Sequence, residues 1–222
     1  MMGPPGAGKG TQAERFARTH GVPRISTGDI LRETFKADAK VSPQAQADMD
    51  RGELVDDETM ISIVRERLER DDAQLGFVLD GFPRTVAQAE ALDAIMASRV
   101  SGLPLVVVDV MVPHAELMRR LAGRRICGSC GVNAEPSAQA CARCGGSLVQ
   151  RVDDTQGVVD ERLRVYERAT KPLVEFYRDR PTFSALDGAR APALVAADLE
   201  AVIAHASGAG ARVADARGGL GS

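Results

Sequence analysis

The chain has 222 residues, of which 44% are hydrophobic and 27% are charged, the composition of an ordinary soluble protein with a sizeable core. This length predicts one large domain, or a core that carries small insertions. A net charge of −3 excludes a uniformly basic surface for nucleic acid or anionic lipid. No apolar run reaches the roughly 18 residues of a membrane span. Residues 1–5 lack the regions of a signal peptide, so we expect a cytoplasmic protein.

Short apolar runs and amphipathic patterns alternate along the chain. In chain order they predict a helix at 10–20, a strand at 22–26, small amphipathic helices within 26–55, a helix at 57–70, a strand at 76–80, a helix at 85–98, a strand at 105–112, a helix at 116–122, a long helix at 158–180 interrupted at Pro172, a strand at 183–186 and a helix at 193–206. This alternation favours an α/β fold, in which helices cover both faces of a parallel sheet. Residues 207–222 lack apolar periodicity and are expected to form a flexible tail.

The most informative segment, Gly3 to Thr11, reads Gly-Pro-Pro-Gly-Ala-Gly-Lys-Gly-Thr. Its glycines allow the backbone to wrap tightly, so that consecutive N–H groups at a helix N-terminus can bind an anion. Lys9 adds a positive charge for a transferred phosphoryl group, and the Thr11 hydroxyl can reach phosphate or its Mg²⁺. The strict phosphate-loop pattern has Ser or Thr directly after Lys, whereas Gly10 intervenes here. The alternative is a Gly/Pro-rich turn without a ligand.

The four cysteines, Cys127, Cys130, Cys141 and Cys144, form the pattern C-x2-C-x10-C-x2-C. In a cytosolic chain, paired C-x2-C units favour metal binding over disulfides. Four thiolates complete the tetrahedral shell of Zn²⁺ without an open position, so the predicted metal is structural. Four free cysteines are the alternative, and disulfides are a further one.

The glycine-rich segment, continued by Gln12, is similar to the phosphate-binding loop of adenylate kinases. Four further segments resemble signatures of that family and follow in the same order: 25–32, 79–85, 120–125, and 151–154 with Arg162-Leu163. The resemblance runs from Gly3 to about Ile203 and implies the α/β fold of P-loop nucleoside monophosphate kinases. It also implies reversible phosphoryl transfer from ATP to AMP. The implied domains are a core (1–25, 56–122 and 155–206), a monophosphate-binding insertion (26–55) and a zinc-binding lid (123–154).

The resemblance implies a binding site for AMP. Arginine suits this site because its guanidinium fork can bind phosphate oxygens with two hydrogen bonds. The amide of Gln88 can read the edge of adenine. The implied AMP-binding residues are Thr27, Arg32, Glu53, Leu54, Val55, Gly81, Phe82, Pro83, Arg84, Gln88, Arg151 and Arg162.

The resemblance also implies a site for ATP and a set of catalytic residues. Phosphoryl transfer requires aligned oxygens and neutralised charge rather than a catalytic base. The implied ATP-binding residues are Gly6, Ala7, Gly8, Lys9, Gly10, Thr11, Arg124, Val132, Asn133 and Arg190. The implied catalytic residues are Lys9, Arg84, Arg120, Arg124, Arg151, Arg162 and Asp80, the last holding Mg²⁺ through water. We therefore expect ATP and AMP as partners, Mg²⁺ and structural Zn²⁺ as cofactors, and a monomer that binds neither nucleic acid nor membrane.

Three other functions stay open at this stage. A kinase of the same fold could use UMP or CMP as acceptor, although Thr27 and Gln88 favour adenine. The cysteine segment also resembles a zinc ribbon, so a nucleic-acid-binding module is a second alternative, disfavoured by only 4% aromatic residues. A catalytically impaired relative is the third. Val132 and Asn133 stand where the family has an aromatic-His run.

The segment before the phosphate loop is short. Only Met1 and Met2 precede it, where the family has a central strand of about five residues, and two residues span less than half of such a strand. We therefore expect the first strand to be missing, with a gap or exposed strand edges in its place and low stability as a consequence. We further expect that a few apolar residues precede Met1 in the working protein.

Overall fold

The structure, a computed structural model, describes residues 1–37, 43–98, 103–135 and 137–217. The strands are β1 (Arg24–Ser26), β2 (Val78–Asp80), β3 (Val107–Met111), β4 (Arg125–Cys127), β5 (Leu148–Gln150) and β6 (Phe183–Asp187). The helices are α1 (Lys9–His20), α2 (Thr27–Ala37), α3 (Pro43–Arg51), α4 (Asp57–Glu69), α5 (Val86–Ser98), α6 (His114–Ala122), α7 (Gln156–Val165), α8 (Pro172–Tyr177) and α9 (Pro192–Arg217). The strands predicted to begin at residues 22, 76 and 105 begin two residues later in the structure, at Arg24, Val78 and Val107.

The central sheet consists of two parallel strand pairs, joined by Met1 and Met2. One pair is β1 with β2, and the other is β3 with β6. Met2 forms a parallel bridge with β3: its N–H donates to the Val108 carbonyl (2.7 Å), and its carbonyl accepts the Val110 N–H (3.0 Å). On the other side, the terminal amine of Met1 donates to the Leu79 carbonyl in β2 (2.9 Å). The order across the sheet is therefore β1, β2, the two methionines, β3 and β6.

Helices cover both faces of this sheet. In β2, Val78 packs with α1, whereas the next residue, Leu79, belongs to a cluster with α4 and α5. In β3, Val107 packs with α5 and α8, whereas Val108 and Val110 pack with α6 and α9. Successive side chains of a strand point to opposite faces. The predicted parallel α/β architecture is thus confirmed.

An apolar cavity of about 210 Å³ lies beside Met1 and Met2 in the sheet. Its walls include Val78 from β2, Val107 from β3 and Tyr177 from α8. The expected gap is therefore present, but the first strand is reduced to a single bridge rather than absent. Met2 keeps its place in the sheet because its side chain is buried and both of its backbone groups are hydrogen bonded to β3.

Two helical segments differ from the sequence-based expectation. The long helix is divided, because a π-helical turn at Tyr166–Thr170 separates α7 from α8. In this turn the Lys171 N–H donates to the Tyr166 carbonyl (2.9 Å), directly before Pro172, which has no N–H of its own. At the C-terminus, α9 continues to Arg217, although we expected irregular structure from residue 207. Its alanine-rich sequence accounts for the longer helix, since alanine has the highest helix propensity.

The smaller parts of the fold surround the sheet. β4 and β5 form an antiparallel hairpin in the cysteine segment, and α3 contacts α7. Within the four described ranges, none of the helices combines the length and apolar character that crossing a bilayer requires.

Candidate active site

The phosphate loop leads from Met2 into α1. Gly3 and Gly8 have φ angles of 127° and 95°, which favour glycine. A Cβ atom at Gly3 would lie 2.5 Å from the Val110 carbonyl oxygen, so the loop passes β3 too closely for a side chain. Gly8 is the N-cap of α1, and N–H groups in the first turn of a helix have no partner within it. This geometry suits an anion at the helix N-terminus, as the sequence predicts.

Lys9 lies among several charged groups. Its Nζ donates to the carbonyls of Gly3 (2.7 Å) and Pro4 (2.8 Å). Burial lowers the pKa of Lys9 to about 8; the charge of Asp80 opposes this shift, and that of Arg84 adds to it. A phosphate oxygen at this position would stabilise the ammonium form, because it replaces neutral carbonyl partners with a negative charge.

Three predicted arginines meet around two aspartates. Nε and Nη2 of Arg124 donate to the two carboxylate oxygens of Asp154 (2.6 and 2.5 Å). Arg162 lies 3.0 Å from Asp154 and 3.2 Å from Asp153, and Nε of Arg151 donates to Asp153 (2.7 Å). Burial opposes ionisation of Asp153, but the hydrogen bond from Arg151 and the charge of Arg162 hold its pKa well below the usual range. Three positive charges against two negative ones leave an excess that suits phosphate oxygens.

The two remaining arginines of the predicted catalytic set come from other segments. Nε of Arg84 donates to the Gly81 carbonyl (2.8 Å). Arg120 pairs with Glu116 (2.7 Å), and its Nη1 lies 3.5 Å from the carbonyl of Ala7 in the phosphate loop. The fold thus brings basic side chains from α6, α7 and two loops towards the start of α1.

A pocket of about 60 Å³ lies between α2, α3 and the loop after β2. Ten residues that the sequence assigned to AMP line it: Thr27, Arg32, Glu53, Leu54, Val55, Gly81, Arg84, Gln88, Arg151 and Arg162. Phe82 and Pro83 line the apolar cavity instead, so contacts of these two residues with AMP stay predictions. Phe82 is buried in the core and supports the pocket from behind.

The amide of Gln88 is fixed at both ends. Its Oε1 accepts the Arg84 N–H (2.8 Å), and its Nε2 donates to Oδ1 of Asp57 (2.7 Å). The Thr85 hydroxyl donates to the same Oδ1 (2.9 Å). Since a backbone N–H requires an acceptor and a carboxylate requires a donor, the amide has one orientation. The sequence analysis did not identify Asp57, whose partner lies 31 residues further along the chain.

Asp80 lies at the end of β2, next to the phosphate loop. A Cβ atom at Gly10 would lie 3.1 Å from its Oδ2. A carboxylate at this place fits the Mg²⁺ of a loop-bound nucleotide, because Mg²⁺ prefers oxygen ligands. The same Oδ2 accepts a hydrogen bond from Nη2 of Arg24 (2.7 Å). Arg24 was also not identified from the sequence, in which it is a basic residue directly before the recognised segment 25–32.

Three residues outside the phosphate loop that were predicted to contact ATP lie in different surroundings. The amide of Asn133 lies above the loop, 3.8 Å from where a Gly10 Cβ would be. The Val132 carbonyl accepts the Cys127 N–H (2.9 Å), so this backbone group is used inside the hairpin. Arg190 is exposed and pairs with a residue of α9. Contacts to ATP by these three residues stay predictions.

The four cysteine sulfurs form a compact cluster. All four lie within 4.8 Å of one another. The Cys127–Cys144 and Cys130–Cys141 sulfur pairs are 3.5 and 3.6 Å apart, much longer than the roughly 2.05 Å of a disulfide bond. Thiolates about 2.3 Å from a tetrahedral zinc ion would be about 3.8 Å apart. The cluster therefore has the dimensions of a four-cysteine zinc site.

The fold and the placement of the basic residues define the class of protein. A glycine-rich loop connects a parallel sheet to a helix, and the charges of Arg84, Arg124 and Arg162 are close enough to influence Lys9 at the start of that helix. This arrangement is typical of P-loop enzymes that transfer phosphoryl groups between nucleotides.

Comparison with known proteins gives the family. The adenylate kinase family profile matches residues 1–182. The adenylate kinase of Archaeoglobus fulgidus is 44% identical over 209 residues, which cover 91% of this chain and 96% of the relative. Those of Geobacillus sp. (strain WCH70) and Moorella thermoacetica are 46% and 48% identical, covering 91% and 89% of this chain and 96% and 94% of the relatives. The chain belongs to the adenylate kinase family. It is a phosphotransferase that catalyses the reversible conversion of ATP and AMP to two ADP.

Proposed function

We propose that the phosphate loop binds ATP and that the pocket between α2, α3 and the loop after β2 binds AMP. The observation that carries this assignment is that Arg84 and Arg162 line the pocket together, while Arg124 shares the carboxylate of Asp154 with Arg162. These groups come from separate segments of the chain, so the fold concentrates positive charge where two nucleotides would exchange a phosphoryl group. Such preorganised charge stabilises the transition state without a cost of reorganisation.

The amide of Gln88 selects adenine in this proposal. Its orientation is fixed by Arg84 and Asp57, which leaves one N–H and one oxygen lone pair for a base. Adenine presents an N6 donor next to a ring nitrogen acceptor, which such an amide can bind with two hydrogen bonds. Thr27, 1% exposed and bonded to the Gly81 carbonyl (3.0 Å), forms part of the same wall.

The transfer step uses positioning and charge. Lys9 and Arg84 would bind the phosphate that moves, together with Arg120, Arg124, Arg151 and Arg162. Asp153 and Asp154 orient three of these arginines before a nucleotide binds. Adenylate kinases use Mg²⁺ with ATP, and the ion neutralises charge on the phosphates when bound; Asp80 is the side chain that would hold it. Thr11, in the first turn of α1, is the nearby hydroxyl of the loop.

We assign Zn²⁺ to the cluster of Cys127, Cys130, Cys141 and Cys144. Sulfur spacing and unpaired thiols support this assignment. The N–H groups of Cys130 and Arg143 donate to the sulfurs of Cys127 and Cys141 (3.4 Å each), which favours the thiolate forms. The ion would be structural and would hold residues 123–154 together as a lid. Residues 26–55 would act as the monophosphate-binding insertion.

We also propose that the enzyme acts as a cytoplasmic monomer on free nucleotides, without nucleic acid or membrane partners. Unpaired cysteine thiols suit a reducing compartment.

The base selection can be tested with a coupled assay of ADP formation that uses ATP and, in turn, AMP, GMP, CMP or UMP. The wild-type enzyme should prefer AMP, and Gln88→Leu should raise the KM for AMP with little change in the KM for ATP. Gln44→Leu, on the exposed side of α3, is the matched control. A wild-type preference for UMP or CMP would contradict the assignment of the acceptor, and an unaffected KM for AMP in Gln88→Leu would remove Gln88 from the site.

A further inference from the structure

Arg24 lies beside the carboxylate to which the site assigns Mg²⁺. It occupies the first position of β1, where Ser26 is the register partner of Asp80. Side chains two residues apart on a strand share a face, so Arg24 reaches Asp80 diagonally across the pair. Its Nη2 lies 2.7 Å from Oδ2 of Asp80, and the two side chains are 20% and 12% exposed.

This ion pair lies against the phosphate loop. A Cβ atom at Gly10 would be 3.1 Å from Oδ2 of Asp80 and 3.3 Å from Nη2 of Arg24. Asp80 therefore lies among several basic groups, because Lys9 and Arg84 also interact with it electrostatically. A divalent cation that approached this carboxylate without a nucleotide would meet strong repulsion.

Arg24 also contacts two other carboxylates. Its Nη1 lies 3.1 Å from Asp29 and 3.8 Å from Glu14. Its Nε, by contrast, is buried and has no hydrogen-bond partner among the described residues. These contacts place the guanidinium among three carboxylates, so Arg24 keeps a carboxylate partner when Asp80 is occupied.

We propose that Arg24 is a counter-ion that competes with Mg²⁺ for Asp80 and so limits how much the metal strengthens the binding of ATP. In the metal-free complex with ATP, Arg24 stays paired with Asp80, and Mg²⁺ that binds with ATP has to displace it from this carboxylate. Arg24 is therefore a positioning residue, which acts through Asp80. This inference rests on the assignment of Asp80 as the carboxylate that holds Mg²⁺.

The test is the coupling between metal and nucleotide. Isothermal titration calorimetry with ATP, without any acceptor, gives one Kd in EDTA and one in saturating Mg²⁺. The Kd in EDTA divided by the Kd in Mg²⁺ measures how much the metal strengthens the binding of ATP. Arg24→Gln and Arg24→Met should raise this ratio about tenfold, because each removes the competing charge. Arg24→Lys keeps the charge and should stay near the wild-type ratio, as should Arg18→Gln on the exposed side of α1.

Asp80→Asn separates the inference from the assignment on which it rests. In this background the ratio should fall, and a further Arg24→Gln change should have at most a small effect. If Arg24→Gln leaves the ratio unchanged or lowers it while Asp80→Asn still lowers it, competition by Arg24 is wrong and Asp80 keeps its role. An equal rise with and without Asp80 would also overturn the inference, since Arg24 would then act on the phosphates directly. If Asp80→Asn has no effect, the assignment of Asp80 itself is wrong.

Discussion

An apolar extension before Met1 should stabilise the 222-residue chain that begins at this methionine. The extension considered is five residues such as Val-Ile-Val-Leu-Val after a new initiator methionine. Met2 already bonds to β3 on one side, and the Met1 amine bonds to β2 on the other. Added residues would therefore continue between these two strands and enter the apolar cavity of about 210 Å³.

The magnitude follows from two features of the structure. At about 24 cal/mol per Å³, filling a cavity of about 210 Å³ is worth about 5 kcal/mol. Ordering each new residue costs about 1–2 kcal/mol, which is roughly offset by burial of its side chain. The second feature is the Met1 amine, whose pKa is lowered from 8.0 to about 6 by burial. Two pKa units correspond to about 3 kcal/mol, and an extension removes the charge from this place.

The pH dependence has a definite sign. Between pH 6 and pH 8 the unfolded chain binds more protons at the amine than the folded chain does, so stability rises with pH. Below pH 6 the full penalty is present, and above pH 8 it is absent. The contribution of the amine should vanish in any extended chain, whereas the gain from the cavity should appear only in an apolar one.

Thermal melts at pH 6 and pH 8 measure both contributions. For a chain of this size, about 5 kcal/mol corresponds to a rise in Tm of about 10–20 °C. The matched control is a polar extension, Gly-Ser-Gly-Asn-Ser, which removes the amine but does not fill the cavity. Equal Tm values for the two extended chains would refute the role of the cavity. An unchanged difference between pH 6 and pH 8 after either extension would refute the role of the amine.

Three further predictions concern the site and the cysteine cluster. Lys9→Ala should lower kcat about 10²–10³-fold without unfolding the protein, as judged against Lys171→Ala, an exposed residue; near-normal turnover would exclude Lys9 from catalysis. Elemental analysis should find one Zn²⁺ per chain and none in Cys141→Ser, and a chelator should lower Tm only where zinc is bound; metal-free protein purified without chelator would contradict this. Asp57→Ala should raise the KM for AMP about tenfold at nearly constant kcat, because Gln88 loses its fixed orientation; a fall in kcat with unchanged KM would contradict that role.

The site residues that we assign from the sequence belong to contiguous motifs. The phosphate loop, the arginines of 120–125 and Arg151 in the segment 151–154 are recognisable because local order preserves their spacing. Arg24 and Asp57 were missed because their partners, Asp80 and Gln88, lie 56 and 31 residues away. Such pairs become visible only after strand pairing and helix packing place the elements.

Local sequence patterns also leave the direction of a side chain and the end of a helix undetermined. Phe82 and Pro83 belong to a recognised signature, yet side-chain direction separates them from Arg84 and turns them into the apolar cavity. The continuation of α9 beyond residue 207 also escaped prediction. Apolar periodicity is weak there, while alanine propensity favours helix.

Phosphoryl transfer from ATP to AMP can be followed directly by phosphorus NMR of ATP, AMP and Mg²⁺ incubated with the enzyme, at a temperature where it is folded. We expect two ADP for each AMP consumed, the same final mixture when the reaction starts from ADP, and no release of inorganic phosphate. Release of phosphate from ATP, or AMP that stays unconsumed while another monophosphate is converted, would show that the enzyme does not catalyse this transfer.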